Sequence, residues 1–171
     1  MAATDPKDPG RKPHLRIVES GARRRPPITA APPWSQPFPV DALILEEDTW
    51  LALSAAPEIH EPVVHPIRTM TEAWEAEPAA PGSIMVRPGA PLRILAVVHD
   101  LSMAPSWRQE WIHAALRRSL AEAHRRGLSA LGIEPLGAVH GRFPPSAFDA
   151  LLSELLENEA GFLKAVWRVD R

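Results

Sequence analysis

The sequence contains no cysteine and no tyrosine, and only nine glycines in 171 residues. Without cysteine there is no disulfide, no thiolate metal site and no cysteine nucleophile. No apolar run approaches the roughly 18 residues that a membrane span needs, and the N-terminus lacks the apolar stretch of a signal peptide. A cytoplasmic protein without membrane contact is therefore expected. A strong charge of either sign is missing as well: 19 Lys and Arg face 21 Asp and Glu, for a formal net charge of -2. The overall balance gives no electrostatic reason for a specific nucleic-acid partner.

Proline, by contrast, is abundant. Of twenty prolines, nine fall in the first 39 residues, beside seven Lys or Arg and only three acids. Proline removes backbone donors, and so few apolar residues do not repay the entropy of ordering. Residues 1–37 are thus expected to form a disordered Pro/Arg-rich tail and residues 38–171 the folded domain. Inside the tail, "LRIVES" (Leu15 to Ser20) has the alternation of a short edge strand, and "RRRPP" (Arg23 to Pro27) is basic and extended, a solubilising stretch before it is a docking site. Trp34, in "APPWSQPFPV", is the residue placed to anchor the tail onto the domain or onto a protein partner.

From Val40 the texture changes. "VDALIL" fits a buried strand, "TMTEAWEAE" (Thr69 to Glu77) a short helix, and "SIMVRP" with "RILAVVHD" a close strand pair. "SWRQEWIHAALRRSLAEAHRRG" is the clearest helix: Ser106 and Gln109 have capping-box spacing, Trp111, Ala115, Leu116, Leu120 and Ala123 form an apolar stripe, and Gly127 stops it. Arg117, Arg118, Arg125 and Arg126 lie mostly off that stripe and read first as a solvated face. A strand in "LSALGIEPLG", a helix in "PPSAFDALLSELLE" with Phe148, Leu151, Leu152, Leu155 and Leu156 at helical spacing, and a last strand in "AVWRVD" complete the pattern. Strands alternating with helices imply a mixed or mostly parallel sheet with helices packed on it, an α/β layered domain. Trp50 and Trp167 are expected in its core, and Trp107 in the helix stripe.

"PLGAVHGRFPP" (Pro135 to Pro145) joins a strand to a helix, where open α/β sheets place their ligands. Two readings compete for it. Backbone N–H groups around Gly137 and Gly141 and at the helix start could hold an anion, with charge from Arg142 and a switchable donor in His140. Alternatively, the glycines are there only because a tight corner needs positive φ. His99 and Asp100 end a strand near this loop; His140 beside either makes an acid/base pair imaginable, although strand-end hydrogen bonding explains them more simply. "HEPVVH" (His60 to His65) has i, i+5 spacing between prolines, which does not match a metalloprotease helix. Even with a third ligand from Asp48, Glu61 or His99 it reads as loop polarity. No catalytic triad is visible, and neither a metal nor a cofactor is expected.

In this order the motifs resemble the macro domain family, which binds ADP-ribose and related nucleotides and in some branches removes ADP-ribose from targets. The resemblance runs through "PGSIMVRPG" (Pro81 to Gly89), "RILAVVHD", "LAEAHRRGLSALGIEPLG" and "GAVHGRFPPSAFDALLSEL", with a weaker match in "VDALILEEDTWL" (Val40 to Leu51). It implies a three-layer α/β/α macro-like domain with a mixed central sheet. It also implies that Gly137, Ala138, Val139, His140, Gly141, Arg142 and Phe143 form a phosphate-binding loop: N–H groups of 137–141 on the phosphate, Arg142 adding charge and Phe143 packing under a ring.

The departures from the family bear on activity. Leu45 and Asp48 stand where the family has an asparagine pair, leaving Asp48 as the ribose-side contact. The first glycine-rich loop is replaced by the glycine-free "ALSAAPEIHEPVVHPI", and after the candidate first strand "VESGARRRPP" offers arginines in place of the acid that recognises adenine. Binding of ADP-ribose or a similar nucleotide without catalysis is therefore expected, ahead of a ligand-free scaffold that binds proteins and of an ADP-ribosyl hydrolase. On this reading Gly141→Trp blocks the ligand with little loss of fold.

Overall fold

The structure, a computed structural model, describes residues 25–54 and 77–170. "LRIVES", "HEPVVH" and all but the last residue of "TMTEAWEAE" lie outside the described residues. Six strands and two helices follow in the order β1 (Ile28–Ala31), β2 (Ala42–Asp48), β3 (Ile84–Arg87), β4 (Leu92–His99), α1 (Gln109–Arg125), β5 (Ala130–Ile133), α2 (Pro145–Glu159) and β6 (Ala165–Val169). They build one sheet in the order β1-β6-β5-β2-β4-β3. Every neighbouring pair is parallel except β3 and β4, which are antiparallel, so the sheet is mixed.

The central strands explain the apolar runs. Ile44 of β2, Ile94, Ala96 and Val98 of β4, and Leu131 and Ile133 of β5 join one core with Ile112, Leu116 and Leu120 of α1 and Phe148, Leu152 and Leu156 of α2. Both helices thus pack on the same face. On the other side of β4, Leu95 and Val97 are also fully buried. This central strand is therefore covered on both faces.

Three local expectations are corrected. β1 lies inside the stretch read as tail: it pairs in parallel with β6, Ile28 opposite Val166, and Arg25 hydrogen-bonds Glu157 and Ser153. Four residues, "ITAA", were enough because the ready edge of β6 supplied the partner that proline-rich flanks hide in the sequence. Ser106 does not cap α1: the N-cap is Arg108, without a side-chain cap bond, because the Ser106 hydroxyl is engaged with His99. Trp107 precedes α1 and pairs by an isolated bridge with His99, while Ile112, absent from the expected stripe, is fully buried at its centre. Gly127, with φ +69°, follows the end of α1 as anticipated.

At the amino edge of the sheet a single side chain ties strands together. The Asp41 carboxylate accepts the N–H groups of Ser129 (2.7 Å) and Ala130 (2.9 Å) ahead of β5, and these bonds hold its pKa below the ordinary value.

Candidate functional site

β2 runs apolar through "ALIL" and then ends in three consecutive acids, Glu46, Glu47 and Asp48, all of them buried. A buried carboxylate is tolerated only with compensating donors. These three obtain them from two loops at the carboxyl edge of the sheet. Glu47 accepts the N–H groups of Asp48 (3.0 Å), Leu53 (2.9 Å) and Ser54 (3.1 Å). Asp48 accepts those of Trp50 (2.6 Å), Ala52 (2.9 Å) and Leu53 (2.9 Å). Glu46 points to the other loop, accepting the N–H groups of Gly137 and His140, each at 2.7 Å, and making a direct bond to Nδ1 of His140.

Close packing shapes the 137–143 loop. Gly137 has φ +78°, and a Cβ there would lie 2.6 Å from Cδ1 of Ile112. Its carbonyl accepts the Phe143 N–H at 2.9 Å and closes the turn, while the Ala138 N–H bonds to the Pro135 carbonyl. At Gly141 a Cβ would come within 2.4 Å of Trp107 Cδ1, 2.6 Å of His99 Cε1 and 2.7 Å of the Gly137 carbonyl oxygen. The Trp107 indole donates to the Gly141 carbonyl and its ring meets that of Phe143 edge-on at 4.9 Å. Arg142 adopts φ +60° with its side chain exposed. Among the described residues, the N–H groups of Val139, Gly141 and Arg142 take no partner.

β4 supplies the remaining polar group. Simple alternation would send His99 to the face opposite Val98, but the β2–β4 register shifts between Glu47 and Asp48, pairing Asp48 with His99. Such a slip re-aims a side chain. His99 is fully buried, its Nδ1 lies 3.0 Å from the Ser106 hydroxyl, and its Nε2 lies 3.5 Å from Oε1 of Glu46. Burial pushes the Glu46 carboxyl up, but the imidazoles of His99 and His140 more than offset it and hold the group below the usual range.

The sequence candidates thus fall into distinct roles. Residues 137–143 do form one tight loop at the sheet's carboxyl edge, and His99 and His140 do meet, though through Glu46 rather than Asp100. Phe143 is in the hydrophobic core and presents no free ring face at the surface. Asp48 has no exposed surface, and its oxygens are given to the 50–53 backbone, because a buried carboxylate beside unpaired N–H groups is claimed by them first. Trp167 is in the core, donating to the Ala31 carbonyl, whereas Trp50 is 56% exposed. Behind β1, where the resemblance looks for an adenine-binding acid, stand Pro32, Pro33 and the exposed Trp34, not the arginines of "VESGARRRPP". Glu46 and Glu47 were not among the candidates. The signal for them was present: acids at the end of an otherwise apolar strand must be buried with partners.

Two clefts border this edge. One of about 240 Å³ is lined by Pro135, Ala138, Val139, Pro145, Arg168 and Asp170. The other, of about 300 Å³, lies among Thr49, Trp50, Pro81, Asp100 and Ser102.

No family model matches the sequence, and comparison with curated protein sequences finds no match. Solved structures do match. The macrodomain of Thermus aquaticus DarG superposes with a TM-score of 0.62 at 18% identity, over 84% of this chain and 98% of that one. The chain has the macrodomain fold. The macrodomain of Mycobacterium tuberculosis DarG gives a TM-score of 0.63 at 15% identity, over 85% of this chain and 99% of that one. A Trypanosoma brucei macrodomain in complex with ADP-ribose gives 0.56 at 17% identity, over 84% of this chain and 64% of that one. No described helix is long and apolar enough to cross a membrane.

Proposed function

We propose that this macro-type domain binds ADP-ribose or a related nucleoside diphosphate, without hydrolysing it, through the outer side of the 137–143 loop. The observation that carries this reading is the division of labour among the loop's donors. Gly137 and His140 give their N–H groups inward to Glu46, which fixes the turn, while those of Val139, Gly141 and Arg142 take no partner among the described residues. Three neighbouring amide donors beside an exposed guanidinium are what a phosphate group needs. The cleft bounded by Ala138, Val139, Arg168 and Asp170 adjoins the same turn and offers room for the rest of the ligand. The Trypanosoma brucei macrodomain, of the same fold, is in complex with ADP-ribose in one solved structure and with ADP in another.

Hydrolysis is not part of the proposal. Leu45 and the pinned Asp48 replace the residues the family uses on the ribose, so nothing at those positions is free to orient a water. A direct ribose contact by Asp48 would require the 50–53 backbone to release it.

The test is calorimetry of the full chain with ADP-ribose at low salt. Gly141→Trp is unsuitable as the blocking variant, since even a methyl group at Gly141 collides with Trp107 and His99. Arg142→Ala and Val139→Trp sit at the rim instead. Binding that weakens several-fold in Arg142→Ala, with the difference shrinking as salt is raised, supports the loop. No heat and no change in the thermal melt on adding ADP-ribose would remove it. That outcome would favour the second reading, a ligand-free scaffold that binds a protein, whose support is the exposure of Trp34 (85%) and Leu101 (55%).

A further inference from the structure

We propose that Glu46, His99 and His140 form a binding site for a divalent transition-metal ion of the zinc type, held by one carboxylate oxygen and two imidazole nitrogens. The ligand atoms these three residues offer all lie within 4.8 Å of one another. Two imidazoles and a carboxylate are a frequent three-ligand set for zinc, with the fourth position left open.

His99 is the deciding residue. It is fully buried, yet its Nε2 has no hydrogen-bond partner among the described residues. The ring is aimed by the Ser106 hydroxyl at Nδ1; when Nδ1 donates to that hydroxyl, Nε2 is left as a lone pair, as in metal-binding histidines. That nitrogen faces Oε1 of Glu46, another electron-rich atom, at 3.5 Å. In the neutral tautomer that carries its proton on Nδ1, these two atoms are facing acceptors, and a cation between them satisfies both. Two metal bonds of about 2.1 Å at a tetrahedral angle span about 3.4 Å, so the observed separation already suits a shared ion.

His140 completes the set from the solvent side. Its Nδ1 bonds directly to the same Glu46 oxygen, and an outward turn of the ring would let an ion take the place of that bond. With its side chain 46% exposed, His140 has the space for that turn. The ion's open position then lies on that side, because His99 and Glu46 close the other. The inference does not rest on the nucleotide reading, which uses backbone N–H groups and Arg142, although Glu46 and His140 also fix the turn that carries those groups.

The experiment is titration of the chelator-stripped full chain with Zn²⁺ against a chromophoric competitor. One ion per chain is expected. Outer-shell partners of a zinc ligand are worth about 10–100-fold in affinity, so about 10-fold is expected for Ser106→Ala and about 100-fold or more for His99→Gln and His140→Ala. Controls are His113→Ala with His124→Ala, and His60→Ala with His65→Ala, none of which should change the affinity. Co²⁺ in place of Zn²⁺ should give the intense visible absorption of a tetrahedral site, and His140→Ala should lose it. If His99→Gln does not fold, His140→Ala at the surface decides alone. Failure of the wild type to take up stoichiometric Zn²⁺, or equal affinity in wild type and His140→Ala, would overturn the proposal.

Discussion

Two loops cap the carboxyl edge of the sheet, and acids from the end of one strand hold both, but they are held to different degrees. The 49–54 loop surrenders its donors completely: Trp50, Ala52, Leu53 and Ser54 all point their N–H groups at Glu47 or Asp48. The 137–143 loop gives Glu46 only Gly137 and His140. The first loop is already saturated with negative charge and has nothing left for a phosphate. The second is fixed by the same chemistry while the N–H groups of Val139, Gly141 and Arg142 keep no partner among the described residues, which is the feature the proposed phosphate site rests on. A turn with unused donors and an internally satisfied turn thus share a sheet edge, and a count of donors tells them apart.

That contrast can be broken most severely at Asp48. Asp48→Ala takes the acceptor from the part-buried N–H groups of Trp50 and Ala52 and leaves Leu53 with Glu47 alone; at about 1–3 kcal/mol for each unpaired group, the loss in urea unfolding should be about 3 kcal/mol. Next comes Gly141→Ala, where overpacking against Trp107 and His99 should cost about 2–3 kcal/mol. A melt equal to wild type would mean that the loop is looser than its contacts imply. Glu47→Gln keeps one acceptor oxygen but gives up the charge, and is expected to cost about 1–2 kcal/mol with ADP-ribose affinity unchanged, since the saturated loop takes no part in binding. The smallest effect is a reference at the opposite edge. Asp41→Asn should cost about 0.5–1 kcal/mol, limited by solvent screening. Because the native pKa of Asp41 is lowered, its contribution is present above the ordinary carboxylate pKa of about 4 and is lost as the pH falls below that value and through the lowered native one. Urea midpoints compared between pH 7 and pH 3 should show the gap between wild type and Asp41→Asn closing in acid.

Much of the architecture was legible because it rests on periodicity. "FDALLSELL" can bury one helical stripe and no other, and "RILAVVH" can only be a strand covered on both faces. The loop from Gly137 to Phe143 was legible as a loop for the same reason, being bounded by the strand in "LSALGIEPLG" and the helix in "FDALLSELL". Its chemistry was not. Phe143 reads equally well as a ligand platform and as a core residue until Trp107 is found against it. Glu46 reads as one acid in a row of three until Gly137, 91 residues later, is seen to donate to it.

The sequence by itself determined the helices, the buried strands, the lack of thiol chemistry and the place of the strand-to-helix turn, all properties of neighbours along the chain. Tertiary structure alone decided that "ITAA" becomes an edge strand, that a one-residue register slip turns His99 toward Glu46, and which amide groups each acid consumes. The physical reason is that a buried charge selects its partners by distance in space and by the cost of leaving any of them unpaired, and neither quantity is written in the order of residues.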